Sequence, residues 1–73
     1  VEGLNMQEMK KPIQVWIKYN NGGWQCVFDT HSSSLAREYA QNRVSFSSSM
    51  ERVEVRDDFG RAVLETVFDR SPK

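Results

Sequence analysis

The sequence predicts an α+β fold of the form ββαββ, with one helix packed on a four-stranded, mostly antiparallel sheet. Three observations carry this. Asn20-Asn21-Gly22-Gly23 separates two β-prone runs, and Asp57-Asp58-Phe59-Gly60 separates two more. Between the pairs, apolar residues from Leu35 onward recur at helical spacing.

Pro12 opens the first strand, where a missing backbone N–H is tolerated. Ile13, Val15, Ile17 and Tyr19 then share one face, and Gln14, Trp16 and Lys18 the other. Asn21-Gly22 is a type I′ hairpin signal, because both central residues of that turn need positive φ. Simple alternation in the second strand puts Trp24, Cys26 and Phe28 toward the core, with Gln25, Val27 and Asp29 opposite.

Asp29-Thr30-His31-Ser32-Ser33-Ser34 reads as a helix start. Thr30 is the first choice of N-cap, with Asp29 or a later serine as alternatives. Leu35, Ala36, Tyr39, Ala40 and Val44 form the apolar stripe, and the two alanines allow close approach to the sheet. Arg43 suits the negative end of the helix dipole. The serine-rich stretch 45–49 is a loop, with Phe46 expected to plug the end of the core.

In the third strand Val53 and Val55 face in, while Arg52, Glu54 and Arg56 face out. Asp57 to Gly60 fits a type I turn with Gly60 left-handed. The fourth strand divides into Ala62, Leu64, Thr66 and Phe68 against Val63, Glu65 and Val67; Leu64 and Phe68 are expected inside. A spatial order 2-1-3-4 makes every neighbour antiparallel, whereas 1-2-3-4 would include one parallel pair. Residues 1–11 read as a flexible N-terminal tail, 12–69 as a single α+β domain and 70–73 as a C-terminal tail.

A chain of 73 residues holds one domain at most. Domains of this size bury roughly 60% of their unfolded surface, so each apolar side chain matters. Ten basic and ten acidic residues cancel, which speaks against a strongly basic nucleic-acid binder. A lone cysteine, Cys26, excludes an internal disulfide, and a reducing cytoplasmic setting is expected. No apolar run approaches the roughly 20 residues of a membrane helix, and residues 1–11 lack the apolar segment of a secretory signal.

With one helix, one sheet face stays open, and that face is the candidate interaction surface. Trp16, Lys18, Val27, Arg52, Arg56 and Val63 are its expected protein-binding residues, since Trp and Arg mark the centres of interfaces. The competing reading is that the N-terminal segment covers Trp16. A single-stranded nucleic acid is a second partner class. Trp16 would stack on a base, among Lys18, Arg52, Arg56 and Arg61. Asp29, Glu54 and Glu65 on the same face would repel phosphates.

Other constellations have bland explanations. Asp29, His31 and Ser32 contain the residue types of a hydrolase triad, but a triad converges from separate segments. Here they are consecutive at a helix start, where such residues serve as caps. Cys26 and His31 give at most two zinc ligands, below the usual number. Asp57-Asp58-Phe59-Gly60 lacks the spaced oxygens of a calcium loop. Neither a cofactor nor an enzymatic activity is expected.

Phe28-Asp29-Thr30, Ala36 to Ala40, Val53-Glu54-Val55 and Asp57 to Gly60 together resemble small uncharacterised proteins of bacteria and phages with this strand-strand-helix-strand-strand layout. The resemblance covers most of residues 13–68, and its motifs are structural. In architecture alone, the chain also looks like small phage proteins that bind and inhibit host enzymes such as RNA polymerase. The resemblance implies a regulator that binds a protein partner or itself, through the open sheet face or an edge strand.

Overall fold

A computed structural model describes residues 11–44 and 49–70. The elements run β1 (Ile13–Tyr19), β2 (Trp24–Thr30), α1 (Ser33–Val44), β3 (Met50–Asp57) and β4 (Ala62–Asp69). The sheet order is β2-β1-β3-β4, and all three pairings are antiparallel. The fold class expected from sequence is therefore present, and of the two sheet orders the sequence left open the chain adopts 2-1-3-4. The expectation for Phe46 falls outside the described residues, as do residues 1–10 of the expected N-terminal tail. Lys11 and Arg70, read from sequence as tail, are tied to the sheet. The Lys11 N–H donates to Asp29 Oδ2 at 2.9 Å, and the Arg70 N–H donates to the Glu51 carbonyl at 2.8 Å.

The core lies between the sheet and α1. Val15, Ile17, Val53 and Val55 supply the sheet side, Ala36 and Ala40 the helix side, and all are buried. Ala36 and Ala40 sit four apart on one face of α1, and their small side chains let its backbone approach β1 and β3. Met50 joins this cluster opposite Tyr19, where a register shift lets Glu51 turn away. Tyr39 pins the helix to β2 by stacking on Phe28, with ring centroids 4.3 Å apart. Leu35, expected on the buried stripe, is instead exposed on the flank of α1.

Ser32, rather than Thr30, caps the helix. Its hydroxyl accepts the Leu35 N–H at 3.3 Å and its carbonyl accepts the Ala36 N–H at 3.1 Å. The Thr30 hydroxyl accepts the Ser32 N–H at 3.1 Å, which turns the chain from β2 into the helix.

Three bulges in the edge strands decide which side chains reach which face. In β2, Val15 opposes Phe28 but the next residue, Trp16, opposes Cys26, so Val27 is extra. In β4, Val67 and Leu64 are the extra residues. Each bulge shifts the two-residue alternation by one. Val27 and Val67, both expected on the open face, therefore pack against the core. Glu65 likewise turns to the helix side, where its carboxylate meets Arg37 of α1 at 2.7 Å.

The two hairpins also reverse the expected turn types. Asn21 and Gly22 are not left-handed; the Gly22 N–H donates to the Tyr19 carbonyl at 3.2 Å around Asn20 and Asn21. A four-residue connection does not demand the two positive φ angles of a two-residue loop. The left-handed turn is the second one. Asp58, Phe59 and Gly60 have φ of 55°, 56° and 92°, and the Gly60 N–H closes on the Asp57 carbonyl at 3.0 Å. The Phe59 N–H also donates to the Pro12 carbonyl at 3.0 Å, which ties this turn to the start of β1.

Candidate functional site

The sheet face away from α1 is organised around Arg56. Cross-strand pairing places Trp16 opposite both Glu54 and Cys26, Gln14 opposite Arg56, and Lys18 opposite both Arg52 and Trp24. The β2 bulge thus brings Trp24 and Cys26, both expected in the core, onto the open face beside Trp16. The Arg56 guanidinium carbon lies 4.9 Å from the ring centroid of Trp16 and 4.6 Å from that of Trp24. Both distances suit attraction between a cation and an indole face.

Glu54 holds this guanidinium in place. It is only 4% exposed, and its Oε1 accepts the Arg56 Nε–H at 2.9 Å. Arg52 flanks it from the other side, with Nε 3.0 Å from Oε2, as an ion pair without the alignment of a hydrogen bond. Arg52, Glu54 and Arg56 are alternate residues of β3, so strand periodicity alone lines them up. A carboxylate buried this far would be costly without such partners.

The β3–β4 turn seats on the same cluster. Arg56 also approaches the Gly60 carbonyl, at 3.4 Å from Nη1. A Cβ at Gly60 would lie 2.9 Å from Gln14 Oε1 and 3.0 Å from Trp16 Nε1. Those two atoms are themselves hydrogen bonded, the indole N–H donating at 2.9 Å. Gln14 is buried and donates from Nε2 to the Lys11 carbonyl at 3.2 Å.

Of the residues expected to bind protein, Trp16, Lys18, Arg52, Arg56 and Val63 lie on this face. Val63 opposes Arg56 and is 53% exposed. Val27 does not lie there, for the reason given above. Lys18 pairs with Glu51 at 3.2 Å, and Arg61 faces Asp58 at 3.7 Å in the turn. Trp24 is the residue that sequence reasoning missed. Its signal would have been a bulge, which simple alternation does not reveal.

Cys26 is the one described group on this face whose pKa departs clearly from its ordinary value. Burial pushes the Cys26 thiol above its usual range, with Asp29 adding to the effect, although its contact with the Phe28 carbonyl and the nearby Arg56 charge act the other way. A thiol held protonated is a poor nucleophile. His31 is exposed beside the Ser32 cap, and the Asp29 carboxylate accepts the Lys11 N–H. Among the described residues, no group of three or more His, Cys, Asp or Glu side chains is arranged to hold a metal ion. Nor is any helix among them long and apolar enough to cross a membrane.

Comparison with known proteins adds no relative: no family model matches the chain, and neither a curated protein nor a solved structure does.

Proposed function

We propose that this protein is a small non-enzymatic interaction domain that binds a protein partner through its open sheet face. The Trp16–Arg56–Trp24 cluster is the observation that carries the reading. Two indoles and an arginine on one rigid sheet are the residue types that dominate binding energy at protein interfaces. Glu54 and the Gly60 turn hold them in place before any partner arrives, which lowers the ordering cost of association. Val63 extends the patch with exposed apolar surface.

Both edge strands carry bulges, which disfavour strand addition and make the face the better candidate than an edge. The setting we propose is cytoplasmic, as the single thiol suggests.

Single-stranded nucleic acid is the second reading, and the second tryptophan favours it, because two indoles offer two stacking surfaces. Against it, Arg52 and Arg56 both spend charge on Glu54, and Lys18 on Glu51.

The test is capture from a cell extract with the immobilised chain, using wild type, Trp24→Ala and a helix-flank control, Leu35→Ala. Circular dichroism verifies that each variant is folded. The proposal expects a protein retained by wild type and by Leu35→Ala but lost by Trp24→Ala. Equal retention by all three refutes it. Salt-sensitive binding of a labelled oligonucleotide, lost in Trp24→Ala, would establish the second reading instead.

A further inference from the structure

A second surface lies at the β3–β4 end of the molecule, formed by the tip of the β3–β4 turn and the helix side of β4. We infer that it is a reciprocal self-association site, in which Phe59 of one copy enters the cavity between α1 and β4 of a second copy.

Phe59 is the first observation. It is 51% exposed and sits at φ 56°, a conformation that is a genuine outlier for a bulky residue. A glycine would take this φ without strain. The chain instead holds a phenyl ring there, half in solvent. Strained positions of this kind cluster at ligand clamps and switch regions.

The cavity is the second. It measures about 210 Å³ and is lined by Ser33, Arg37, Val55, Leu64 and Glu65. Val55 is a buried core residue, whereas Leu64 stands 49% exposed because the β4 bulge turns it out at the sheet edge. A cavity of about 150 Å³ is enough to hold benzene, so a phenyl ring fits.

Charge is the third. The cavity carries the Arg37–Glu65 pair, and both side chains are substantially exposed. Phe59 is flanked by Asp58 and Arg61, which are more exposed still. Each surface thus presents one acid and one base around an apolar centre. With the ring inserted, Asp58 meets Arg37 of the second copy, and Arg61 meets Glu65. Such matching fixes orientation.

Geometry makes the contact reciprocal. The Val55–Glu65 pairing lies two β3 residues from Asp57, roughly 7 Å from the turn at the rise of a strand. Ring and cavity therefore share one end of one hairpin. A two-fold rotation can place each ring in the other copy's cavity, which closes the pair and leaves no open site for chain growth. Strand pairing is not required, which suits the bulged β4 edge.

Sedimentation equilibrium on the full 8.5 kDa chain tests this. Wild type should rise toward twice the monomer mass as concentration climbs to about 1 mM, the range of a weak, small-area contact. Phe59→Gly keeps a permitted backbone and so should remain folded and monomeric. Leu64→Lys should also remain monomeric. Asp58→Arg should weaken the pair several-fold, and adding Arg37→Asp should restore it. Four results overturn the inference: a wild type that stays monomeric throughout, a dimer unchanged in Phe59→Gly, a dimer indifferent to the two charge changes, or a dimer lost in Trp24→Ala but kept in Phe59→Gly.

Discussion

Gly60→Ala is the substitution that probes most sharply how the turn meets the tryptophan face. Gly60 has φ 92°, where an L-residue is strained, and left-handed conformations cost roughly 1–2 kcal/mol. The added Cβ would also fall 2.9 Å from Gln14 Oε1, 3.0 Å from Trp16 Nε1 and 3.2 Å from Trp16 Cζ2. None of these is a free side-chain end. Gln14 is buried and hydrogen bonded at both ends of its amide, and Trp16 lies beside Arg56. Making room breaks the indole–amide hydrogen bond, worth about 1 kcal/mol net, and disturbs the Arg56 contact. The lower entropy of an unfolded alanine returns roughly 0.4–1 kcal/mol. The net loss is therefore about 1–3 kcal/mol, from the strain and the broken contacts together. For a domain of this size that lowers the melting temperature by about 5–20 °C. Thermal unfolding followed by tryptophan fluorescence reads this directly. Gly22→Ala is the matched control, because its Cβ would meet nothing within 4 Å and its φ is not left-handed. A Gly60→Ala melting temperature within a few degrees of Gly22→Ala would refute the seating of the turn on Trp16.

Other consequences are equally checkable. Ser32→Ala removes the hydroxyl that accepts the Leu35 N–H and should cost about 1 kcal/mol in urea unfolding, while Ser34→Ala should cost little. Glu54→Ala leaves Arg52 and Arg56 without their carboxylate, and Arg56 is largely covered; a loss of about 2–4 kcal/mol is expected, well above that of a surface ion pair such as Arg61–Asp58. The Cys26 thiol is raised by burial, so the folded state keeps its proton longer than the unfolded chain does. Its contribution is full below the ordinary thiol pKa and is lost as pH rises through the folded value, so alkaline unfolding should be steeper in wild type than in Cys26→Ala.

Much of this architecture is legible in the amino-acid order. β1 and β3 are central strands, and alternation over Val15–Ile17 and Arg52–Arg56 separates Val15, Ile17, Val53 and Val55 from Trp16, Arg52, Glu54 and Arg56. The short connections and the helical crossover leave few sheet orders, and the all-antiparallel one is adopted. Alternation fails at Glu51 of β3 and at three places in the edge strands. A bulge adds one residue without any compositional mark, and every side chain beyond it changes face. That is why Trp24 and Cys26 join Trp16, and why Val27 and Val67 turn to the core. Turn chemistry misleads for a related reason. Asn-Gly demands left-handed residues only in a two-residue loop, and here the connection has four. Conversely, Asp58 and Phe59 are left-handed because the turn is tied to Pro12 and pressed onto Trp16, contacts that no local pattern records.

The most direct test of the account concerns Arg56 between two indoles, since the proposed interaction surface depends on the bulge that brings Trp24 there. Proton nuclear Overhauser measurements on the free chain should show the Arg56 side chain close to the rings of both Trp16 and Trp24. Its methylene signals should be shifted by both ring currents, and Trp24→Ala should remove part of that shift. Contacts from Arg56 to Trp16 alone, with Trp24 showing contacts to core valines, would contradict it.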